Sequence, residues 1–149
     1  MDHPLSKSGF CWISFFSRML LGLLFLMAGW QKVFVMGADI HAATLFVEGY
    51  KNYWIPQWLL YGAGYVIPFI ELVAGVFLLL GLRVMTVLVT LGFLLVVVTY
   101  GHLLKEPFFD ITTHILPRFI LLVILFAVPR REDRWSVDTW LAKSANEPH

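Results

Sequence analysis

Residues 58–104 read "WLLYGAGYVIPFIELVAGVFLLLGLRVMTVLVTLGFLLVVVTYGHLL", and across these 47 positions only Glu71 and Arg83 are charged. A helix needs about 20 apolar residues to cross a bilayer. The stretch is long enough for two, at about 58–82 and 84–104, separated by "GLR" at 81–83. Gly81 can take the left-handed conformation that ends a helix, and Arg83 is expected beside the last carbonyls. Toward the N-terminus, "MLLGLLFLMAGW" at 19–30 is an apolar run held between Arg18 and Lys32. A charged start followed by a short apolar run also describes a signal peptide. The apolar flanks at 11–16 and 33–36 favour a span over about 11–36 instead. Toward the C-terminus a fourth, weaker span is expected at 111–129, kinked or started by Pro117, before a polar tail at 130–149. The expected architecture is therefore all-α: an integral membrane four-helix bundle forming a single domain over 1–149.

Between the first two spans lies "GADIHAATLFVEGYKNYWIPQW", residues 37–58. Ile40, Ala43, Phe46 and Val47 fall at helical spacing, which predicts a short interfacial helix. Tyr50, Tyr53, Trp54, Trp58 and Tyr61 read as an aromatic belt at the headgroup level.

The composition supports a lipid-embedded chain. Of 149 residues, 59% are hydrophobic and 14% charged, against roughly 45–50% and 25% in soluble domains. Mean hydropathy is +0.77 and the net charge +1. These values exclude a disordered chain and a nucleic-acid binder, and they argue strongly against a soluble enzyme. One cysteine, Cys11, rules out a CxxC redox pair. No nucleophile-elbow, zinc-protease, phosphate-loop or dinucleotide motif occurs. With four spans, Lys7, Arg18, Arg83, Arg130, Arg131, Arg134 and Lys143 fall on one side, and Lys32, Lys51, Lys105 and Arg118 on the other. The richer side is expected to face the cytoplasm of a bacterial or archaeal inner membrane, with both termini inside.

Polar residues within spans are costly and therefore informative. An acidic side chain at a helix centre costs about 2.5–3.5 kcal/mol on insertion scales. Glu71 must accordingly be protonated, paired or turned to a wet cavity. Arg18, Gly22, Phe25, Gly29 and Lys32 share one helical stripe, and Gly64, Pro68, Glu71 and Gly75 share another. Small residues allow close helix approach in lipid, so the two stripes are expected to meet, with Gly22, Gly29, Gly64 and Gly75 at the contact. Depth measured from the span ends favours an Arg18–Glu71 ion pair, with snorkelling of Arg18 as the alternative, and leaves Lys32 to snorkel outward. Lys32, His102, His114 and Arg118 are expected around a polar vestibule able to hydrogen-bond a quinone or meet a partner subunit. No metal site is expected from the two histidines.

The stretches "RMLLGLLFLMAGWQK" (18–32) and "PFIELVAGVFLLLGL" (68–82) resemble the DoxX family of small four-helix membrane proteins, with Arg18, Gly22, Phe25, Gly29, Lys32, Glu71, Gly75 and Gly81 as the matching positions. The resemblance implies the bundle and a link to membrane redox complexes. The function expected on that basis is a membrane subunit of a quinone-linked redox or respiratory assembly. It would anchor or support a partner and help form a quinone pocket, with no independent activity. Lipids, a quinone and other membrane or redox subunits are the expected partners, and no cofactor is expected to be covalently bound. A purely structural accessory subunit is the alternative, and a small carrier or channel a more distant one.

Overall fold

The computed structural model describes residues 7–106, 111–129, 133 and 135–144, and every regular element among them is helical. Helix α1 (Lys7–Trp30) runs on into a wide π-type turn at Gln31–Val35. Gly37, at φ +89°, then redirects the chain into α2 (Ala38–His41), which continues through a second π-type stretch at Ala42–Glu48. Next come α3 (Gln57–Leu80), α4 (Val84–Lys105), α5 (Ile111–His114), α6 (Leu116–Ala127) and α7 (Val137–Ser144).

Among the described residues three helical stretches are long and apolar enough to cross a membrane: Ser8–Val35, Gln57–Leu80 and Val84–Lys105. The expected fourth span is not one long helix. A turn at Ile115 separates α5 from α6, and α6 has 12 residues. At 1.5 Å per residue that is roughly 18 Å, against a hydrocarbon core of about 30 Å. Pro117 accounts for the break. It sits in the first turn of α6, where a missing N–H is harmless, whereas inside a continuous helix it would remove a hydrogen bond and clash with the preceding turn.

The tightest helix contact joins α1 and α3, and glycine makes it possible. A Cβ on Gly29 would lie 2.5 Å from the Leu72 nitrogen and 2.8 Å from the Pro68 carbonyl oxygen. One on Gly75 would lie 2.5 Å from the Leu26 nitrogen, and one on Gly22 would meet Leu79 at 3.0 Å. Gly64 does not join this seam. It faces Ala42 and Phe46, each 2.8 Å from where its Cβ would be, so one glycine stripe serves two different neighbours. Leu21, Phe25, Ile67 and Leu78 continue the core toward Leu88 and Leu91 of α4 and Leu122 and Leu125 of α6. Met27, Phe93, Val96 and Phe119 point outward, as they would against acyl chains.

Helical structure occupies the expected interfacial stretch, at Ala38–His41 and Ala42–Glu48. His41 and Ala42 are buried, whereas Ile40 and Ala43 are exposed. Phe46 packs against the core.

Candidate functional site

The buried acid of α3 has a partner. Lys32 Nζ donates to Glu71 Oε2 at 2.6 Å, and Glu71 is 5% exposed. The expected Arg18–Glu71 pair does not form, because the two helices are offset. With Gly29 on Leu72 and Gly75 on Leu26, Glu71 lies level with residues 29–30 of α1. Lys32 is then roughly 4 Å further along the axis and Arg18 roughly 17 Å away in the other direction. Placing both span ends at one level concealed this overhang of α1.

Arg18 instead closes the far end of α3. It is fully buried. Its Nη1 donates to the carbonyls of Leu78 (3.1 Å) and Leu79 (3.5 Å), and Nη2 to that of Trp135 (2.7 Å). Nε stands 3.8 Å from Asp133 Oδ2. Gly81, at φ +70°, ends the helix with two bonds, Gly81 N to Leu78 O and Leu82 N to Phe77 O, and a cation beside such a carbonyl terminus is favourable. A Cβ on Gly81 would collide with the guanidinium and lie 2.7 Å from Ser136 Cβ. Arg83, expected at these carbonyls, is exposed and takes φ +45° at the start of α4. The Asp138 carboxylate accepts from the Arg83 and Val84 amides at 2.7 and 2.9 Å, capping α4 from the start of α7. Trp135 packs on Trp12 and Phe15 of the overhanging α1. Asp133, Trp135 and Asp138 of the polar tail are thus built into the bundle end.

At the opposite end the sequence reading missed His41. Pro68 has no N–H, so the carbonyl four residues earlier, that of Gly64, loses its intrahelical donor. His41 Nδ1 takes that place at 2.8 Å. A carbonyl oxygen only accepts, so Nδ1 carries the proton. The bare Cα of Gly64 lets the α2 extension approach closely enough for this bond. His41 is 3% exposed, and burial, followed by the nearby Lys32 charge, lowers its pKa below 6.5 against the opposing pull of the Gly64 bond and Glu71. The signal was present in the spacing: a proline inside a span whose i−4 residue is glycine calls for an outside donor.

Lys32 and His41 line a cavity of about 500 Å³, walled mainly by apolar residues of the α2 extension, α3 and α4, among them Phe46, Leu60, Ile67 and Val98. Tyr50, Tyr100, His102 and Lys105 complete its polar edge. Tyr50 has left the aromatic belt: its hydroxyl oxygen comes within 3.3 Å of where a Gly101 Cβ would be, and burial, then Tyr53 and Glu106, raise its pKa. Trp54 and Trp58 remain exposed. Of the vestibule residues expected together, Lys32 and His102 meet here. Arg118 does not line the cavity; its guanidinium stands 5.5 Å from the Phe25 ring centroid in the α1–α6 contact. The side chain of His114 lies outside the described residues.

Compared with known families, the sequence matches the one described as methylamine utilisation protein MauE over residues 10–105. This match corrects the resemblance to DoxX; the small residues that suggested it on α1 and α3 are what close helix packing in lipid favours in general. No curated protein and no solved structure matches the chain.

Proposed function

The chain belongs to the MauE family, and from that membership we propose that it is a membrane-embedded accessory protein of a methylamine-utilisation type redox system, holding a quinone in the cavity beside Lys32 and Glu71. The observation that carries this reading is the cavity itself. About 500 Å³ of mostly apolar space is large enough for a quinone ring and the start of its tail. Lys32 spends its charge on Glu71, so the inner part of the space suits a neutral guest rather than an anion. Tyr50 and Tyr100 supply hydroxyls at the rim, in keeping with sites that are apolar but carry a few placed polar groups.

The chain crosses four times in this reading. The α7 segment bonds to the same bundle end as Arg18 and Gly81, while α4 finishes at the cavity end; α5 and α6 make the return. Setting aside the buried Arg18 and the paired Lys32, four crossings would assign, by sequence position alone, six basic residues to the side of the termini and three to the opposite side. That bias supports cytoplasmic termini and a cavity opening toward the outer leaflet of an inner membrane. Partners would be other membrane or redox subunits of the same system.

The test is isolation from native membranes. Extraction of the purified protein should release quinone in near-stoichiometric amount, and Ala63→Trp, which fills the cavity, should abolish it. Co-isolation with redox subunits but no bound or bindable quinone would leave a purely structural accessory role, and ion or solute flux in liposomes would point to a carrier.

A further inference from the structure

We propose that the cavity discriminates between redox forms, taking the hydroxyl-bearing quinol in preference to the oxidised quinone, with His41 Nε2 as the acceptor that tells them apart. The inference rests on the quinone reading above and adds a specificity-determining residue to it. His41 lines the cavity and is almost wholly buried. Its Nδ1–H is committed to the Gly64 carbonyl, a bond that exists because Pro68 cannot supply the helical one. In a neutral imidazole with Nδ1 protonated, Nε2 is a lone-pair acceptor with no proton to give. Burial and the charge of Lys32 both oppose a second proton.

A quinol places an O–H against that lone pair and forms a hydrogen bond. A quinone presents only carbonyl oxygens, so two lone pairs would face each other and Nε2 would gain no bond from the guest. Sites built to bond a hydroxyl reject the analogue that lacks it. Tyrosine hydroxyls and the lysine ammonium can donate to the oxygens of either form, so they do not tell the two redox states apart. His102 also lines the cavity, and a quinol preference that survives loss of the His41 ring would point there instead. Binding alone is involved, and no electron or proton leaves the guest.

The test uses the full chain in lipid nanodiscs and a decyl-benzoquinol held reduced under anaerobic conditions, compared with its oxidised quinone by titration calorimetry. The quinol is expected to bind at least about tenfold tighter, or ~1.4 kcal/mol. His41→Asn, which keeps an N–H for Gly64 but lacks Nε2, should bring the ratio near one while the quinone still binds; His41→Phe should do the same if it folds. Equal binding of the two forms by the unaltered protein overturns the inference and leaves the quinone reading intact. Binding of neither form removes that reading as well. A quinol preference that survives in the variants overturns the assignment to His41.

Discussion

Replacing Lys32 with methionine leaves the Glu71 carboxylate without a counter-charge in the middle of α3. The two partners are not equivalent: the Lys32 side chain is 28% exposed and that of Glu71 7%. Breaking a buried pair by removing one member costs about 3–5 kcal/mol, chiefly because the other charge is stranded. That figure applies to Lys32→Met, where the stranded group is the buried acid. Glu71→Gln strands the better exposed lysine, whose ammonium can swing outward, and should cost about half as much or less. The double variant Lys32→Met/Glu71→Leu strands nothing and should return close to the original stability, since apolar replacements of buried pairs are often neutral or better. Cys11, the one cysteine, is buried, so its labelling by a thiol-reactive dye during heating in detergent reports unfolding once per molecule. Equal stability of Lys32→Met and the parent, a larger loss for Glu71→Gln, or a double variant as weak as Lys32→Met would each show that the Glu71 charge does not depend on Lys32 in this way.

Gly29→Ala should lose about 1–3 kcal/mol from overpacking against the α3 backbone, whereas Gly92→Ala, with nothing within 4 Å of its Cβ, should be neutral or gain up to about 1 kcal/mol in helix propensity; melting of both in the same detergent checks the contrast. Asp138→Ala should cost about 0.5–2 kcal/mol through loss of the cap on α4, with faster amide exchange at Arg83 and Val84. Arg83→Gly should stabilise by about 1 kcal/mol, because glycine accepts the positive φ without strain. Because the folded state lowers the His41 pKa below 6.5, the unfolded chain takes up the proton first on acidification. Stability should hold above pH 6.5 and fall as the pH drops from there toward the folded-state value, and His41→Asn should flatten that part of the profile.

Hydrophobic run length and glycine spacing made the three long helices and much of the α1–α3 seam legible, since both are local properties of one helix. So was the need of Glu71 for a partner, which follows from the cost of a bare charge in lipid. Its identity was not, because it depends on the offset between α1 and α3, a property of how two helices dock, with Gly29 on Leu72 and Gly75 on Leu26, and not of either helix alone. The short α6 was half visible in Pro117, but a hydropathy count does not register a missing N–H. His41 escaped for a related reason: its role is created by a backbone carbonyl on another helix. Arg18 takes the place expected of Arg83 at the end of α3, because the residue nearest in sequence is exposed while one about 60 positions earlier fills the gap.

A density map of the protein in nanodiscs with added quinol shows whether the cavity beside His41 is the binding site. A ring is expected in the cavity between the α2 extension, α3 and α4, with a hydroxyl oxygen about 2.7–3.0 Å from His41 Nε2 and the Lys32–Glu71 pair intact beside it. A cavity filled by an acyl chain, or a ring bound elsewhere on the bundle, would contradict it.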